Sequence, residues 1–345
     1  MLTFKILSKL LLMEFLYLGG EIWGLIKRRK GLEGVKKVGI LFLPNLGIGD
    51  LVMLSPAIKK IGEIFQDAEV FLITWVEPII DFGKIKIIGI PEFQKIKKSF
   101  DLLISPTLNL RHFPFIFQTK YWLGYFAKPK IQSNFGAKKL SYHLKKEHYL
   151  WRGIRLLKAL NEEEGNLLEK KAKERSIVYP ELISQEPSFF KELKGEKYLA
   201  LAPISKWPDR QWPLEKFSEL IRQIFNKRLF NKIVILGGKT QRERELANVL
   251  LAKNLEKIPK DFFIDTVGKT SLSETIFLIK HSSLFIGLDS APAHFAYLTA
   301  SRVLVIFITV DPLFRLPLTK TNNLIRCLYP SIFIKSPSKF YLLFF

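Results

Sequence analysis

The chain has 345 residues, 48% of them hydrophobic, and a formal net charge of +22. That length admits two domains of ordinary size, and that composition excludes general disorder. A single cysteine, Cys327, excludes a disulfide framework and a cysteine metal site.

The basic residues are spread along the chain, with dense patches at Lys27-Arg-Arg-Lys30, Lys95 to Lys98, Lys138-Lys139 and Lys170 to Arg175. Such a field favours anionic partners: phosphorylated donors, anionic lipid or nucleic acid. A solvated surface is the plain alternative. No motif that reads RNA or DNA accompanies the charge, so no nucleic-acid partner is expected.

Residues 1–34 read as an N-terminal helical extension. Met1 to Ile26 is apolar, but Lys5, Lys9, Glu14 and Glu21 interrupt it. The uninterrupted spans fall short of the ~20 residues that a membrane helix needs. No small-residue cleavage site follows, which argues against a cleaved signal peptide. Leu10, Leu11, Phe15, Leu18, Ile22, Trp23 and Ile26 form one apolar helix face, closed by the basic run at residues 27–30. A helix lying on an anionic bilayer surface is the favoured reading, and a helix packed on the protein itself is the other.

The first strand-turn-helix unit follows. Val38 to Leu43 reads as a buried strand, Asn45 to Gly49 as a glycine-lightened turn, and Asp50 as the start of a helix through Ala57, Ile58 and Ile61. A carboxylate there sits at the carboxyl end of a parallel strand, where open α/β sheets place their ligands. Val70 to Thr74 and Asp101 to Ser105 read as further strands, with a short apolar run at Ile85 to Ile90 between them, so a parallel sheet is predicted. Residues 110 to 150 are rich in aromatics and lysine, include His112, His143 and His148, and have no clean period. Trp151 to Leu160 reads as helix. Residues 161–176 are charged, and breakers from Pro180 to Pro187 mark a boundary near 180–195.

A second unit opens with the strand Lys197 to Pro203. Pro213 starts a helix whose face carries Leu214, Phe217, Ile221 and Ile224. Lys232 to Gly237 is a strand and Glu243 to Leu251 a helix. Ser271-Leu-Ser-Glu274 is a capping box. Ser283 to Gly287 is a strand, His294 to Thr299 a helix, and Arg302 to Ile308 a strand. Within this unit Gly287-Leu-Asp-Ser-Ala-Pro-Ala-His294 repeats the grammar of the first turn. Both halves therefore read as doubly wound: residues 35–190 form one, residues 191–317 the other, and residues 318–345 a tail.

Three motifs in this order, Leu46-Gly-Ile-Gly-Asp-Leu-Val52, Trp207-Pro-Asp-Arg-Gln-Trp-Pro213 and Gly287 to His294, resemble the heptosyltransferase family, glycosyltransferase family nine. The resemblance covers roughly residues 36 to 317. It implies a GT-B fold, with two Rossmann-like domains facing a cleft. It also implies an inverting transfer of heptose from a nucleotide-sugar donor, ADP-heptose, to lipopolysaccharide core or another lipid-linked glycan. The expected location is the inner face of the cytoplasmic membrane. No cofactor and no metal are implied. A non-catalytic relative that docks nucleotide sugar or anionic lipid is the alternative.

Within the resemblance Asp50 matches the family aspartate and is the candidate base. It is ionised at neutral pH at its ordinary pKa of ~3.9, and a helix N-cap is its structural alternative. Asn45, Gly47 and Gly49 shape the turn for close backbone approach. Ser205, Lys206 and Arg210 are expected at the donor, with arginine able to fork onto phosphate. The backbone of Ser290 and Ala291 opens a helix and suits a phosphate. Asp289 is expected either on donor hydroxyls or as a cap, and His294 either on donor or in packing. Glu243 is placed at the donor ribose, with Glu245 as the alternative register. Gly237-Gly-Lys-Thr240 and Gly268-Lys-Thr270 imitate a P-loop, but Ile233 and Phe263 stand where its first glycine belongs. Val52 likewise occupies the third glycine position of a dinucleotide fingerprint. No Asp-x-Asp is present, and the five histidines lack ligand spacing.

Overall fold

The computed structural model describes residues 32, 34–44, 46–96, 99–106, 119, 121–124, 148–300, 302–320 and 324–329. The expected N-terminal membrane-surface helix, Asn45, His112 and His143 lie outside the described residues.

The apolar run after Lys36 becomes β1 (Lys37–Phe42), and the turn leads into α1 (Ile48–Ile64). Pro56 lies inside α1, where its missing N–H would leave the Val52 carbonyl unpaired. The Ser55 hydroxyl donates to that carbonyl at 2.8 Å. β2 (Glu69–Thr74), β3 (Lys86–Gly89), α2 (Ile90–Ile96), β4 (Leu102–Ser105) and β5 (Tyr121–Gly124) follow. These strands form a parallel sheet in the order β3-β2-β1-β4-β5, with Val38 opposite both Val70 and Leu102.

α3 (Leu150–Leu160) packs on α1, and α4 (Glu162–Lys173) packs on α3. The charged stretch at 161–176 is thus largely helical. Asn161 caps α4, accepting from the Glu164 N–H at 3.1 Å. Acids fill the first turn and lysines the last, in the sense that favours the helix dipole. A charged surface helix of this kind carries little apolar period, which hides it in the sequence.

The second sheet begins at β6 (Tyr198–Ala202). α5 (Leu214–Asn226), β7 (Lys232–Ile235), α6 (Gln241–Leu255), β8 (Phe263–Asp265), α7 (Leu272–Lys280), β9 (Leu284–Leu288), α8 (Ala291–Thr299) and β10 (Arg302–Ile306) follow. The capping box at Ser271 forms: the Glu274 N–H donates to Ser271 Oγ at 3.1 Å, and the Ser271 N–H to Glu274 Oε2 at 2.8 Å. The expectation of a tail apart from the second unit beyond residue 317 gives way to β11 (Leu324–Leu328), which pairs in parallel with β10. The order is β11-β10-β9-β6-β7-β8. Just before β11 the chain also returns to the first half. There Ile177 N–H donates to Leu318 O at 3.0 Å and Arg175 Nη2 to Pro317 O at 2.9 Å.

Strand alternation divides the core. Val38, Ile40, Ala200, Val234, Phe285 and Val303 join one buried cluster that runs between the two sheets. Leu41, Phe71 and Leu103 face outward from the first sheet, and Leu199, Ile233 and Ile286 from the second. Winding reverses between β1 and β4 in one sheet and between β6 and β9 in the other, and ligands bind at the carboxyl ends of such switch points. Asp50 follows β1, residues 203–212 follow β6, and Asp289 follows β9. Among the described residues no helix is long and apolar enough to cross a membrane.

Candidate active site

The starts of α1 and α8 confront each other. Gly49 abuts the buried His294 ring, so any β-carbon at residue 49 would collide with it. Asp50 sits in the first turn of α1 and divides its carboxylate between two tasks. Oδ2 accepts the Gly47 N–H at 2.8 Å, which closes the helix start. Oδ1 accepts Arg315 Nη1 at 3.3 Å. Asp50 is therefore not the N-cap, which is Gly47; it is the third helical residue and closes the helix start from there with one oxygen, while the other meets Arg315.

Across the seam, Asp289 Oδ2 accepts Arg210 Nη1 at 2.9 Å and lies 3.7 Å from Arg315 Nε. Asp50, Arg315, Asp289 and Arg210 thus make a continuous chain of alternating charge. Their side chains are 15%, 12%, 5% and 19% exposed, enough shielding for the attraction to exceed that of a surface pair. A cavity of about 10 Å³, room for about one water, lies beside Arg315 and is lined by Val52, His294 and Tyr297 among others.

Burial pushes the Asp50 carboxyl above the usual carboxylate range. Arg315, the Gly47 N–H and Arg152 oppose this, and Asp289 adds to it. Burial holds His294 well below its ordinary pKa, with Arg315 acting in the same sense. Burial also lowers His148 to about 3. Both imidazoles are neutral at physiological pH. Tyr149 carries the Arg152 guanidinium 4.3 Å from its ring centroid and that of Arg315 at 5.7 Å, which holds two cations beside Asp50.

The remaining expected residues divide. Ser205 is buried and shapes its loop: Oγ accepts the Trp207 N–H at 3.1 Å, its own N–H donates to Gln211 Oε1 at 2.9 Å, and its carbonyl accepts Arg242 Nη1 at 2.8 Å. Lys206 is exposed, with its ammonium 5.9 Å from the Trp207 ring centroid. Ser290 is the N-cap residue of α8, but its hydroxyl donates to Leu288 O at 3.3 Å and does not cap. Pro292 has no N–H, and the Ala293 N–H returns to Ser290 O at 3.1 Å. The amides of Ser290 and Ala291 are then the donors left at this helix start. Glu243 is spent on the capping box of α6, accepting the Gly238 N–H at 3.1 Å and the Thr240 hydroxyl at 2.6 Å. Glu245 pairs with Gln241 on the exposed face of the same helix.

Arg315, Arg152 and Tyr149 are missing from the sequence reading. A signal for Arg315 exists: it is a lone charge inside Leu313-Phe-Arg-Leu-Pro317, and arginine is buried only when paired. Among the described residues no group of three His, Cys, Asp or Glu side chains is placed to hold a metal ion.

The architecture defines the class first: parallel α/β sheets, doubly wound, joined along a charged seam. The chain matches the family model of glycosyltransferase family 9 (heptosyltransferase) over residues 95–335, and it belongs to that family. Two relatives are lipopolysaccharide heptosyltransferase 3 proteins of Escherichia coli. One is 26% identical over 159 residues, a match that spans 44% of each chain. The other, from strain K12, is 23% identical over 297 residues, 79% of this chain and 83% of its own. Among solved structures, the E. coli ADP-heptose lipopolysaccharide heptosyltransferase II superposes with a TM-score of 0.60 at 16% identity, covering 87% of this chain and 94% of that one. A family 9 glycosyltransferase from Veillonella parvula DSM 2008 gives 0.59 at 14% identity, covering 86% of each. The fold they share with this chain is the GT-B fold of two Rossmann-like domains.

Proposed function

We propose that this chain is an inverting glycosyltransferase. It moves a heptose, or a related sugar, from a nucleotide-sugar donor such as ADP-heptose to a lipopolysaccharide core or another lipid-linked glycan. Residues 35–190 form the acceptor side, and residues 191 onward the donor side. The observation that carries the reading is the charge chain in which Asp50 meets Asp289 and the start of α8 through Arg315.

In the reaction Asp50 takes the proton of the acceptor hydroxyl while its oxygen attacks the anomeric carbon. The bond from that carbon to the diphosphate breaks on the opposite face, and its electrons leave on the phosphate oxygen. A carboxyl group raised by burial is a stronger base than an ordinary aspartate. Arg210 and the Ser290 and Ala291 amides receive the leaving diphosphate, so its charge is met without a metal ion. Asp289 fixes one nitrogen of Arg210, which leaves the rest of the fork to the donor.

The test is sugar transfer by the purified chain with ADP-heptose and a heptose-deficient core acceptor, alongside Asp50→Ala. Expected is transfer by the wild type, and intact ADP binding with transfer lost in the variant. Normal turnover by Asp50→Ala removes the proposed base. ADP binding with no transfer to any lipid-linked acceptor favours the non-catalytic relative. The family and the basic N-terminal segment support a peripheral position on the inner face of the cytoplasmic membrane. Flotation with anionic liposomes, with and without residues 1–34, tests it.

A further inference from the structure

Arg315 comes from the segment between β10 and β11, far in sequence from both carboxylates it bridges. A 3₁₀ turn, Pro312–Phe314, delivers it, and Asp311 caps that turn by accepting the Leu313 N–H at 2.9 Å. The next residues are tied to the first half. The Leu318 N–H donates to the Tyr179 hydroxyl at 3.2 Å, and Arg175 holds the Pro317 carbonyl. The guanidinium is thereby anchored on both flanks. It presents Nη1 to Asp50 and Nε toward Asp289, with its plane near the Tyr149 ring.

We propose that Arg315 is a positioning residue of the transfer reaction: it orients the Asp50 carboxylate and ties it to the donor-side carboxylate Asp289. This rests on the reading of Asp50 as the base. The consequence is that the base is fully set only with Arg315 in place. Without it, Asp50 keeps its Gly47 hydrogen bond but loses the partner that fixes its second oxygen.

The groups facing Asp50 define what a pH experiment reads. Arg152 and Tyr149 face it from the start of α3, Asp289 from the end of β9 and Arg315 from the segment after β10, while His294 on α8 abuts the neighbouring Gly49. His294 is neutral throughout the working range, so the nearby cations are Arg315 and Arg152. Removing Arg315 leaves burial less opposed, and the carboxyl shifts further upward.

The experiment compares wild type, Arg315→Lys and Arg315→Gln. Expected for Arg315→Gln is a kcat lower by roughly 10- to 100-fold, with donor KM changed by less than about 3-fold. The acid limb of its kcat profile moves up by about one pH unit, and Arg315→Lys restores part of both changes. An acid limb that stays in place overturns the proposal. Asp50→Asn separates the two failures. If it transfers sugar normally, the base reading has failed. If it is inactive while Arg315→Gln keeps the wild-type limb, only the role of Arg315 has failed.

A second measurement needs no substrate. Thermal midpoints are taken for Asp50→Asn, Arg315→Gln and the double variant, with ADP binding as the check of folding. Expected is a double variant no less stable than Arg315→Gln alone, because Asp50→Asn removes the charge that Arg315→Gln strands. Additive losses overturn the pairing.

Discussion

Gly49, in the first turn of α1, lies against the imidazole of His294 on α8: a β-carbon at residue 49 would stand 2.8 Å from His294 Nε2 and closer still to Cδ2. The contact sets how near the two helix starts approach, and so the span that Arg315 bridges. His294 has little room to yield, being buried and in edge contact with Tyr297. Gly49→Ala is expected to cost about 1–3 kcal/mol of stability through overpacking. It should also lower kcat, since it parts the two helix starts that the reaction needs together. Urea unfolding and steady-state kinetics read the two effects. An unchanged midpoint would show that the seam separates freely at this point.

Asp289 serves two guanidiniums with one carboxylate. Asp289→Ala leaves Arg210 and Arg315 largely buried without that partner, and the stranded charge costs about 3 kcal/mol, discounted somewhat because both arginines touch solvent. The loss should be visible as a lower urea midpoint at pH 7.5. Arg210→Gln, which leaves Asp289 its contact with Arg315, should cost less. Equal losses from the two substitutions would remove Asp289 as the shared centre.

The strands that carry the site were the easiest to read. β1, β6 and β9 are buried on both faces, so they stand out as unbroken apolar runs between turn residues. Asp50 and Asp289 were legible for the same reason, because each ends such a run at a helix start. β5 and β8 carry no such signal. One is an edge strand in a stretch without period, and the other is three residues long. Nor does α4, which is marked by its cap and its charge order. Arg315 escaped because its neighbours in space, residues 50, 149 and 289, are distant in sequence, and no local spacing encodes that contact. Glu243 shows the opposite ambiguity. Its position after a strand suggests ligand chemistry, and the capping box it forms has the same local signature.

Two buried histidines give the protein an acid sensitivity whose sign follows from the direction of their shifts. Each has a folded-state pKa below the unfolded value, His148 at about 3. The unfolded chain therefore binds protons that the folded state does not. The stabilisation is complete above the unfolded pKa of about 6.5 and is lost as pH falls below it, at up to about 1.4 kcal/mol per unit for each histidine. For His148 burial is the main cause, and the geometry works in the same direction. Its Nδ1 accepts the Leu150 N–H at 3.2 Å, and a protonated ring cannot accept. His148→Asn keeps an acceptor and does not titrate. It should flatten the fall in unfolding free energy between pH 6.5 and 4 by up to one proton. A slope identical to that of the wild type would place the sensitivity elsewhere.

Asp50 contributes with the opposite sign. Its folded pKa is raised, so between the ordinary carboxylate value and that raised value the folded state holds the extra proton. Stability is then lost as pH rises through this window. The stability of Asp50→Asn relative to wild type should increase as pH is raised from 3 toward neutrality. Urea midpoints of both proteins across that range measure it, and a relative stability that falls with pH would reverse the assignment of burial as the dominant influence.

Glu243 separates structure from binding most simply. Its carboxylate closes the start of α6 by accepting the Gly238 N–H, the Thr240 N–H and the Thr240 hydroxyl. Glu243→Ala removes those acceptors together and should cost about 1 kcal/mol, the usual worth of a helix cap. Glu245→Ala, on the exposed face, should stay within about 0.5 kcal/mol of wild type. ADP affinity should follow the same order only through the loop that Glu243 ties down, so the Glu243→Gln variant, which keeps an acceptor oxygen, should bind ADP within about 3-fold of wild type. A loss of 100-fold or more in Glu243→Gln, with the fold intact, would return this residue to the donor and make the capping box a resting arrangement that the ligand displaces.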